Sequence, residues 1–285
     1  MTDEAADVLH VAPPVVAEER LRALLQHAWQ LTPRRLRRLD SERDINVLVD
    51  GEFVLKVSNP AEDPAVVDME VAAMAHLADA ERDLVIPATV PAVDGASVRP
   101  FADDAGRNCQ ARLITVIPGS PLEGEPITVD LAEQVGALAG RVQTGLAGFF
   151  HPAAGRVLDW DLRRAAQVIR RTATDPGLLE LATRIEPALA TAGRLPGGVQ
   201  HADVTLTNVL AEGGRVTGLI DFGDMHHTAA VCDLAVALTS VLRNTADHQP
   251  AECWSRSCGD PRSRDIHATR STLHGEQTCR HYPGC

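Results

Sequence analysis

The stretch from residue 201 to residue 224, HADVTLTNVLAEGGRVTGLIDFGD, constrains this chain more than any other part of it. A Gly-Gly pair at 213–214 separates two short apolar runs, which predicts a β-hairpin with a tight turn. A loop precedes the hairpin and an acidic segment follows it, so Asp203, Asn208 and Asp221 are expected at one edge. Two carboxylates and one amide oxygen at a shared edge can bind Mg²⁺ and leave one carboxylate to act as a base.

The pattern H-x-D-x-x-x-x-N from His201 to Asn208, followed by D-F-G at 221–223, resembles the aminoglycoside phosphotransferase family, which includes choline and hydroxylysine kinases. Within it, the segments SERD, VLKVSNPAEDP, HADVTLTN and IDFGDM are most similar to hydroxylysine kinase-like proteins and to the kinase module fused to class III aminotransferases. The chain cannot itself be that aminotransferase, because its only lysine is Lys56 and no Schiff-base lysine is left.

The resemblance implies an α+β, bilobal protein-kinase-like fold with a small β-rich N-lobe and a mainly helical C-lobe. It also implies transfer of the terminal phosphoryl group of ATP or GTP to a hydroxyl of a small, amine-bearing molecule. Asp203 would accept or orient the proton of that hydroxyl, while Asn208 and Asp221 would hold Mg²⁺. We expect His201 to shape the loop rather than to carry protons, and Asp224 to be a further acid near the substrate.

Lys56 is the only lysine among 27 Lys and Arg residues, and it lies late in the second strand of another predicted hairpin. Residues 45–49 and 53–57 alternate in hydrophobicity on either side of an Asp-Gly turn at 50–51. The resemblance places Lys56 on the nucleotide phosphates, where a compact ammonium is not interchangeable with a guanidinium. It places Ser41 in the nucleotide-binding loop. That loop lacks a G-x-G-x-x-G motif, so a plain hairpin is the alternative.

A helix is predicted over residues 64–80, with a proline in its first turn and one apolar face. In kinase-like folds this helix supplies a glutamate that pairs with the strand lysine and positions it. The resemblance gives that role to Glu70, as the partner of Lys56. Asp68 is a competing carboxylate, and a solvated Glu70 without any role is the alternative.

The link between the lobes is predicted after a strand at 110–117, where a Pro-Gly turn follows. The resemblance places backbone groups from Thr115 to Gly119 on the adenine edge, with Thr115 first. Other strands are predicted at 34–39, 84–86, 90–93 and 97–99, and other helices at 18–30, 128–150, 159–174, 178–191 and 229–243. The predicted divisions are a flexible lead-in (1–17), the nucleotide-binding N-lobe (18–117), the C-lobe with the catalytic loop (118–246) and an atypical, disordered tail (247–285).

The sequence changes character in its last part, because residues 251–285 contain four of the six Cys and few aliphatic residues. A zinc site formed by these Cys and neighbouring His residues is one alternative, but the Cys spacing is looser than in C-x2-C pairs. We favour a disordered or out-of-frame tail. Members of the family continue here with helices that close the substrate pocket, so we expect a truncated C-lobe.

The formal net charge of −12 argues against a nucleic-acid partner, since phosphate-backbone binding needs basic patches. An acidic protein suits a small cationic substrate, although many proteins are acidic for solubility alone. No run of eighteen apolar residues predicts a membrane span, and the acidic N-terminus lacks a signal-peptide pattern, so we expect a cytoplasmic protein. Two alternatives to an active small-molecule kinase stay open: a truncated, inactive remnant and a nucleotide-binding module without turnover.

Overall fold

The structure, a computed structural model, describes residues 11–244 of the 285-residue chain. The lead-in predicted at residues 1–17 therefore lies partly outside the described residues. The tail predicted at 247–285, its alternative zinc site and the expected truncation lie outside them altogether.

The chain up to residue 115 forms an antiparallel six-stranded sheet and two helices. These elements are α1 (Glu18–Trp29), β1 (Leu36–Leu39), β2 (Ile45–Val49), β3 (Phe53–Val57), α2 (Pro64–Ala80), β4 (Thr89–Val90), β5 (Arg99–Ala102) and β6 (Asn108–Thr115). The strand order is β1-β2-β3-β6-β4, and β5 pairs with β6. Helix α1 covers one face of the sheet, where its Leu21 and Leu25 join Val47 and Leu55 in a buried cluster.

The alternation of side chains along β3 determines which face of the sheet carries Lys56. Leu55 and Val57 are fully buried in the cluster beneath α1, so Lys56 points to the opposite face of the sheet. Glu70 of α2 and Lys56 line the same cavity on that face. Helix α2 begins where Asp63 caps it, its Oδ1 accepting the Ala65 N–H at 2.9 Å.

The chain after residue 115 is mainly helical, with short strands that form two small sheets. Its elements are β7 (Ser120–Pro121), α3 (Val129–Gly145), α4 (Ala165–Thr172), α5 (Pro176–Ala192), β8 (Gly197–Gln200), β9 (Val209–Glu212), β10 (Arg215–Leu219), β11 (His226–Ala229) and α6 (Ala230–Arg243). Strands β10, β9 and β7 form one sheet, and β11 pairs with β8 in the other. Val135 and Val142 of α3 pack in one buried cluster with Val209 and Leu219.

The α+β prediction, with strands first and helices later, is confirmed, as are both predicted hairpins and the helix at 64–80. The strand predicted at 84–86 is wrong. Pro87 follows it without an N–H to donate, and the Val85 carbonyl is taken by the Leu219 N–H at 3.3 Å. The helix predicted at 159–174 begins only at Ala165, because Asp161 caps a separate 3₁₀ turn before it.

The two halves of the chain touch where β10 passes beneath residues 84–86. A β-carbon at Gly218 would lie 2.2 Å from the Val85 carbonyl oxygen, so only glycine allows this approach. Within residues 11–244, no helix has the length and apolar character needed to cross a membrane.

Candidate active site

The loop between β8 and β9 begins with His201, whose buried ring makes contacts that hold the loop. The His201 ring is fully buried, its Nε2 lies 3.2 Å from the Ile220 carbonyl oxygen, and its Nδ1 accepts the Asp203 N–H at 3.2 Å. The ring also packs edge-on against Phe222, with centroids 4.7 Å apart. Burial lowers the pKa of His201 to about 4, so the ring is neutral near pH 7. This environment supports a role in shaping the loop.

Asp233 of α6 anchors the same loop from the other side. Its carboxylate accepts the backbone N–H groups of His201 at 3.2 Å and Ala202 at 2.6 Å. Ala202 has a φ of 66°, a left-handed conformation that is costly for an L-residue and needs this support. Burial raises the pKa of Asp233 to about 6, although the two N–H groups favour its charged form. The sequence predicted the helix that carries Asp233 but contained no signal for this contact.

The predicted base, Asp203, is held by the predicted metal ligand Asn208. The Asn208 Nδ2 donates to the Asp203 Oδ2 at 2.6 Å and to the Asp203 carbonyl oxygen at 3.0 Å. Burial raises the pKa of Asp203 to about 6, and the charge of Asp224 adds to the effect. A carboxyl group with this pKa is ionised at pH 7 yet basic enough to take a proton.

Asp221 is the second predicted metal ligand, and it forms an ion pair with Lys56. The Lys56 Nζ lies 3.0 Å from the Asp221 Oδ1, and Asp221 adopts a left-handed backbone with φ of 62°. The ammonium of Lys56 holds the pKa of Asp221 far below its usual range. Lys56 is buried and the Asp221 side chain is half-exposed, so the carboxylate still faces the cleft.

The residues present fit a magnesium ion through their donor atoms. Because the Asn208 amide nitrogen donates to Asp203, the amide oxygen is the atom left for a cation. The Ile220 N–H donates to the Asn208 carbonyl at 3.0 Å, which brings Asn208 beside Asp221. Among residues 11–244, no cluster of three or more His, Cys, Asp or Glu side chains could hold a metal. One oxygen from Asn208 and one from Asp221 fit the donor set of Mg²⁺, which commonly takes one or two protein oxygens plus phosphates and water.

Glu70 does not form the predicted ion pair with Lys56. Its Oε2 pairs with the Nη2 of Arg112, and both side chains are almost completely buried. Lys56 and Arg112 are directly opposite each other on β3 and β6, so the two cations compete for nearby carboxylates. Arg112 takes Glu70 and Lys56 takes Asp221. Sequence reasoning missed Arg112, since its strand has no feature that marks it as part of a site.

One cavity of about 210 Å³ joins most of the predicted nucleotide-binding residues. Ser41, Lys56, Glu70 and Asp221 all line it. Thr115 is not in its lining. The Thr115 N–H donates to the Ala88 carbonyl and its hydroxyl accepts the Ala88 N–H, each at 2.9 Å, so these groups are already bonded to the residue before β4.

Two arginines that the sequence did not reveal hold the turn at residues 222–225. The Arg43 Nη2 donates to the Asp224 Oδ1 at 2.9 Å, and its guanidinium lies over the Trp160 ring. Arg156 donates to the backbone carbonyl of Gly223 and, at 3.0 Å, to that of Met225. Arg43 lies in the predicted nucleotide loop, which was the one signal available for it. The sequence around Arg156 contains no signal of this contact.

Arg156 also faces a buried carboxyl group in the segment before α2. Its Nη1 lies 3.5 Å from the Glu62 Oε1, and both side chains are largely buried. Burial raises the pKa of Glu62 to about 7 despite the nearby Arg156. Glu62 lines the same cavity as Lys56, so this acid is part of the site.

Known proteins are similar to this chain in sequence and in fold. A profile described as "Phosphotransferase enzyme family" (APH) matches residues 35–266. Homoserine kinase of Neisseria meningitidis serogroup B is 30% identical over 157 residues, which is 51% of each chain. Hydroxylysine kinase of Danio rerio is 26% identical over 258 residues, covering 80% of this chain and 71% of that one. This chain thus spans about half the length of the meningococcal enzyme.

The solved structure of an amicoumacin kinase, in complex with AMP-PNP and Ca²⁺, superposes with a TM-score of 0.68 at 16% identity. The superposition covers 85% of this chain and 76% of that one. It confirms the predicted bilobal kinase-like fold. The family profile matches far more than half of the sequence and includes every residue of the site described above. The chain belongs to the phosphotransferase enzyme family.

Proposed function

We propose that this protein transfers the terminal phosphoryl group of ATP or GTP to a hydroxyl of a small, amine-bearing molecule, with Mg²⁺ as cofactor. One observation carries the proposal. Asp203, held by Asn208, lies close enough to Asp221 and Asp224 for their charges to raise its pKa, and Asp221 is itself paired with Lys56. This proximity of a candidate base, two candidate oxygen ligands and a candidate phosphate-binding cation supports phosphoryl transfer.

In this mechanism the protein mainly positions the reacting groups. Asp203 accepts the proton of the acceptor hydroxyl or orients it, and Asn208 keeps the Asp203 carboxylate in place through its amide nitrogen. Lys56 leaves Asp221 to contact the nucleotide phosphates. Asn208 and Asp221 would hold the magnesium ion, which would supply charge neutralisation at the phosphates. Ser41 belongs to the loop that covers the nucleotide, as its place in the cavity lining supports.

The names of two relatives indicate the acceptor class. Homoserine and hydroxylysine each carry a hydroxyl and an amine, so an amino alcohol is the acceptor that we propose. Asp224 is the carboxylate that we expect nearest its ammonium. A cytoplasmic location, where nucleotide is available, is part of the same proposal.

A two-stage experiment tests this function. Thermal-shift titrations with Mg·ATP and Mg·GTP measure nucleotide binding, and a product assay with homoserine, hydroxylysine, choline and kanamycin measures transfer. We expect the Asp203→Ala variant to lose transfer and to keep nucleotide binding. Asp79→Ala, an exposed carboxylate on α2, is the matched control.

Each outcome selects one function. Transfer to an amino alcohol that depends on Asp203 supports the proposal, and unchanged turnover of Asp203→Ala would sink the mechanism. Nucleotide binding without transfer to any acceptor would favour a nucleotide-binding module. Absence of both binding and transfer would favour an inactive remnant.

A further inference from the structure

Arg112 is the most deeply buried charged side chain beside the site, and the proposed mechanism does not use it. It is 1% exposed and lies on β6, directly opposite Lys56 on β3. Its Nη2 pairs with the Glu70 Oε2. Its Nε and Nη1 are buried and lack hydrogen-bond partners within residues 11–244. Burying a guanidinium so incompletely satisfied is costly, so a plain structural role explains Arg112 poorly.

The ion pair between Arg112 and Glu70 determines how Glu70 can act. One carboxylate oxygen of Glu70 is occupied by Arg112, whereas the other faces the turn at Gly223, where an added β-carbon would lie 3.9 Å from the Glu70 Oε1. That turn follows Asp221, the present partner of Lys56. Glu70 therefore offers its second oxygen on the side of the cleft where the Lys56 ammonium lies.

We propose that Arg112 is a positioning residue for Lys56: it fixes Glu70 through one oxygen and leaves the other to receive the Lys56 ammonium when Asp221 turns to metal binding. The inference rests on the proposed function, since it concerns nucleotide binding at the same site. Lys56 thus has two successive carboxylate partners, Asp221 before the nucleotide and Glu70 with it. Arg112 carries a like charge on the neighbouring strand, which also pushes Lys56 toward the cleft.

The single lysine of this chain makes a direct test possible. A nucleotide acyl phosphate, which acylates lysines at nucleotide sites, can label no other side-chain amine of the unaltered chain. Peptide mass spectrometry reports Lys56 and, in Arg112→Lys, separates the Lys56 peptide from the peptide that contains position 112. The labelling rate, with and without competing Mg·ATP, is measured for Arg112→Met and Arg112→Lys. Arg141→Met is the matched control, because Arg141 also pairs with a glutamate, Glu81, at 3.0 Å.

We expect Arg112→Met to slow ATP-protected labelling of Lys56 and to raise KM for the nucleotide, each about tenfold, which is the usual loss when a supporting residue is removed. KM for the acceptor should not change. Arg112→Lys should restore most of the labelling, since it returns a cation to Glu70. The control Arg141→Met should behave like the unaltered chain.

Two results would overturn the inference. One is Arg112→Met labelled at the unaltered rate with an unchanged nucleotide KM. The other result comes from Glu70→Gln, which weakens the same pair from the other side and is used if Arg112→Met fails to fold. Lys56 in Glu70→Gln should be labelled slowly, and labelling at the unaltered rate would reject the positioning role of Arg112. Labelling of the unaltered chain that ATP does not prevent contradicts the proposed function as well, which separates the two failures.

Discussion

The Lys56 ammonium lies 3.0 Å from the Asp221 carboxylate, although 165 positions separate the two residues in the chain. The pair joins the β-rich half to the turn that follows β10. It also neutralises two groups that the proposed reaction needs for phosphate and for metal. In the proposed reaction, nucleotide binding would replace this ion pair with one contact of Lys56 to phosphate and one of Asp221 to metal.

Replacing Lys56 with Met should lower kcat/KM for the nucleotide by roughly 10²–10³-fold, the usual effect of removing one preorganised charge. Lys56→Arg should not restore the activity, because a planar guanidinium does not fit the place of a compact ammonium. Steady-state kinetics with varied Mg·ATP measure this effect. Kinetics of Lys56→Met equal to those of the unaltered chain would remove Lys56 from the site.

The pH dependence of transfer should show the ionisation of Asp203. Its pKa is about 6, so the rate should fall as pH drops below about 6 and the base becomes protonated. Asp224→Asn removes a charge that raises this pKa, so the acidic limb should move to lower pH. The measurement is kcat/KM from about pH 5 to about pH 8, a range that extends at least about one unit to either side of the expected pKa. An acidic limb at the same pH in Asp224→Asn would contradict the assignment to Asp203.

Replacing Asp233 with Ala should destabilise the protein by roughly 2–4 kcal/mol, because two buried N–H groups lose a charged acceptor. The catalytic loop should suffer most, since those groups belong to His201 and Ala202. Asp233→Asn keeps one acceptor oxygen and should lose less. Urea unfolding gives the free energy, with Asp79→Ala as the exposed control. Equal stability of Asp233→Ala and the control would show that the anchor is unimportant.

Glu62 should make the protein less stable as pH rises. Folding raises the pKa of Glu62 from 4.5, the ordinary value for a glutamate, to about 7, so between these pH values the folded state holds a proton that the unfolded state has lost. Stability therefore falls as pH rises from about 4.5 to about 7 and levels off above that range. Glu62→Gln should remove this slope and gain about 2–3 kcal/mol at pH 8. Urea unfolding across pH measures it. The exposed carboxylate variant Glu212→Gln should keep the slope.

Two glycine substitutions should change the free energy of unfolding in opposite directions. Gly218→Ala should cost about 2 kcal/mol or more, because its methyl group would meet the Val85 carbonyl oxygen at 2.2 Å. Gly140→Ala, within helix α3, meets nothing within 4 Å and should gain up to about 1 kcal/mol from helix propensity. Thermal unfolding compares the two. A neutral Gly218→Ala would mean that the two halves can separate there without cost.

The local elements and the central motif were predictable because their signals lie within short stretches of chain. Hydrophobic periodicity and Gly or Pro placement predicted the hairpins and the helix at 64–80. The spacing of Asp203, Asn208 and Asp221 suffices to place them together, since one hairpin connects them. Contacts between distant segments had no such signal. The roles of Asp233 and Arg156 depend on segments 31 and 67–69 positions away.

The sequence by itself determined which groups this protein can offer to the proposed reaction: a candidate base, two candidate oxygen ligands and one lysine, each on a recognisable local element. Only the tertiary structure decided which charges pair. A buried cation must take the carboxylate that packing brings nearest, because leaving it unpaired costs several kcal/mol. Strand register places Arg112 beside Lys56, so Glu70 pairs with Arg112 and Lys56 pairs with Asp221. Register between distant strands is set by the whole packed sheet, and no short stretch of the chain contains it.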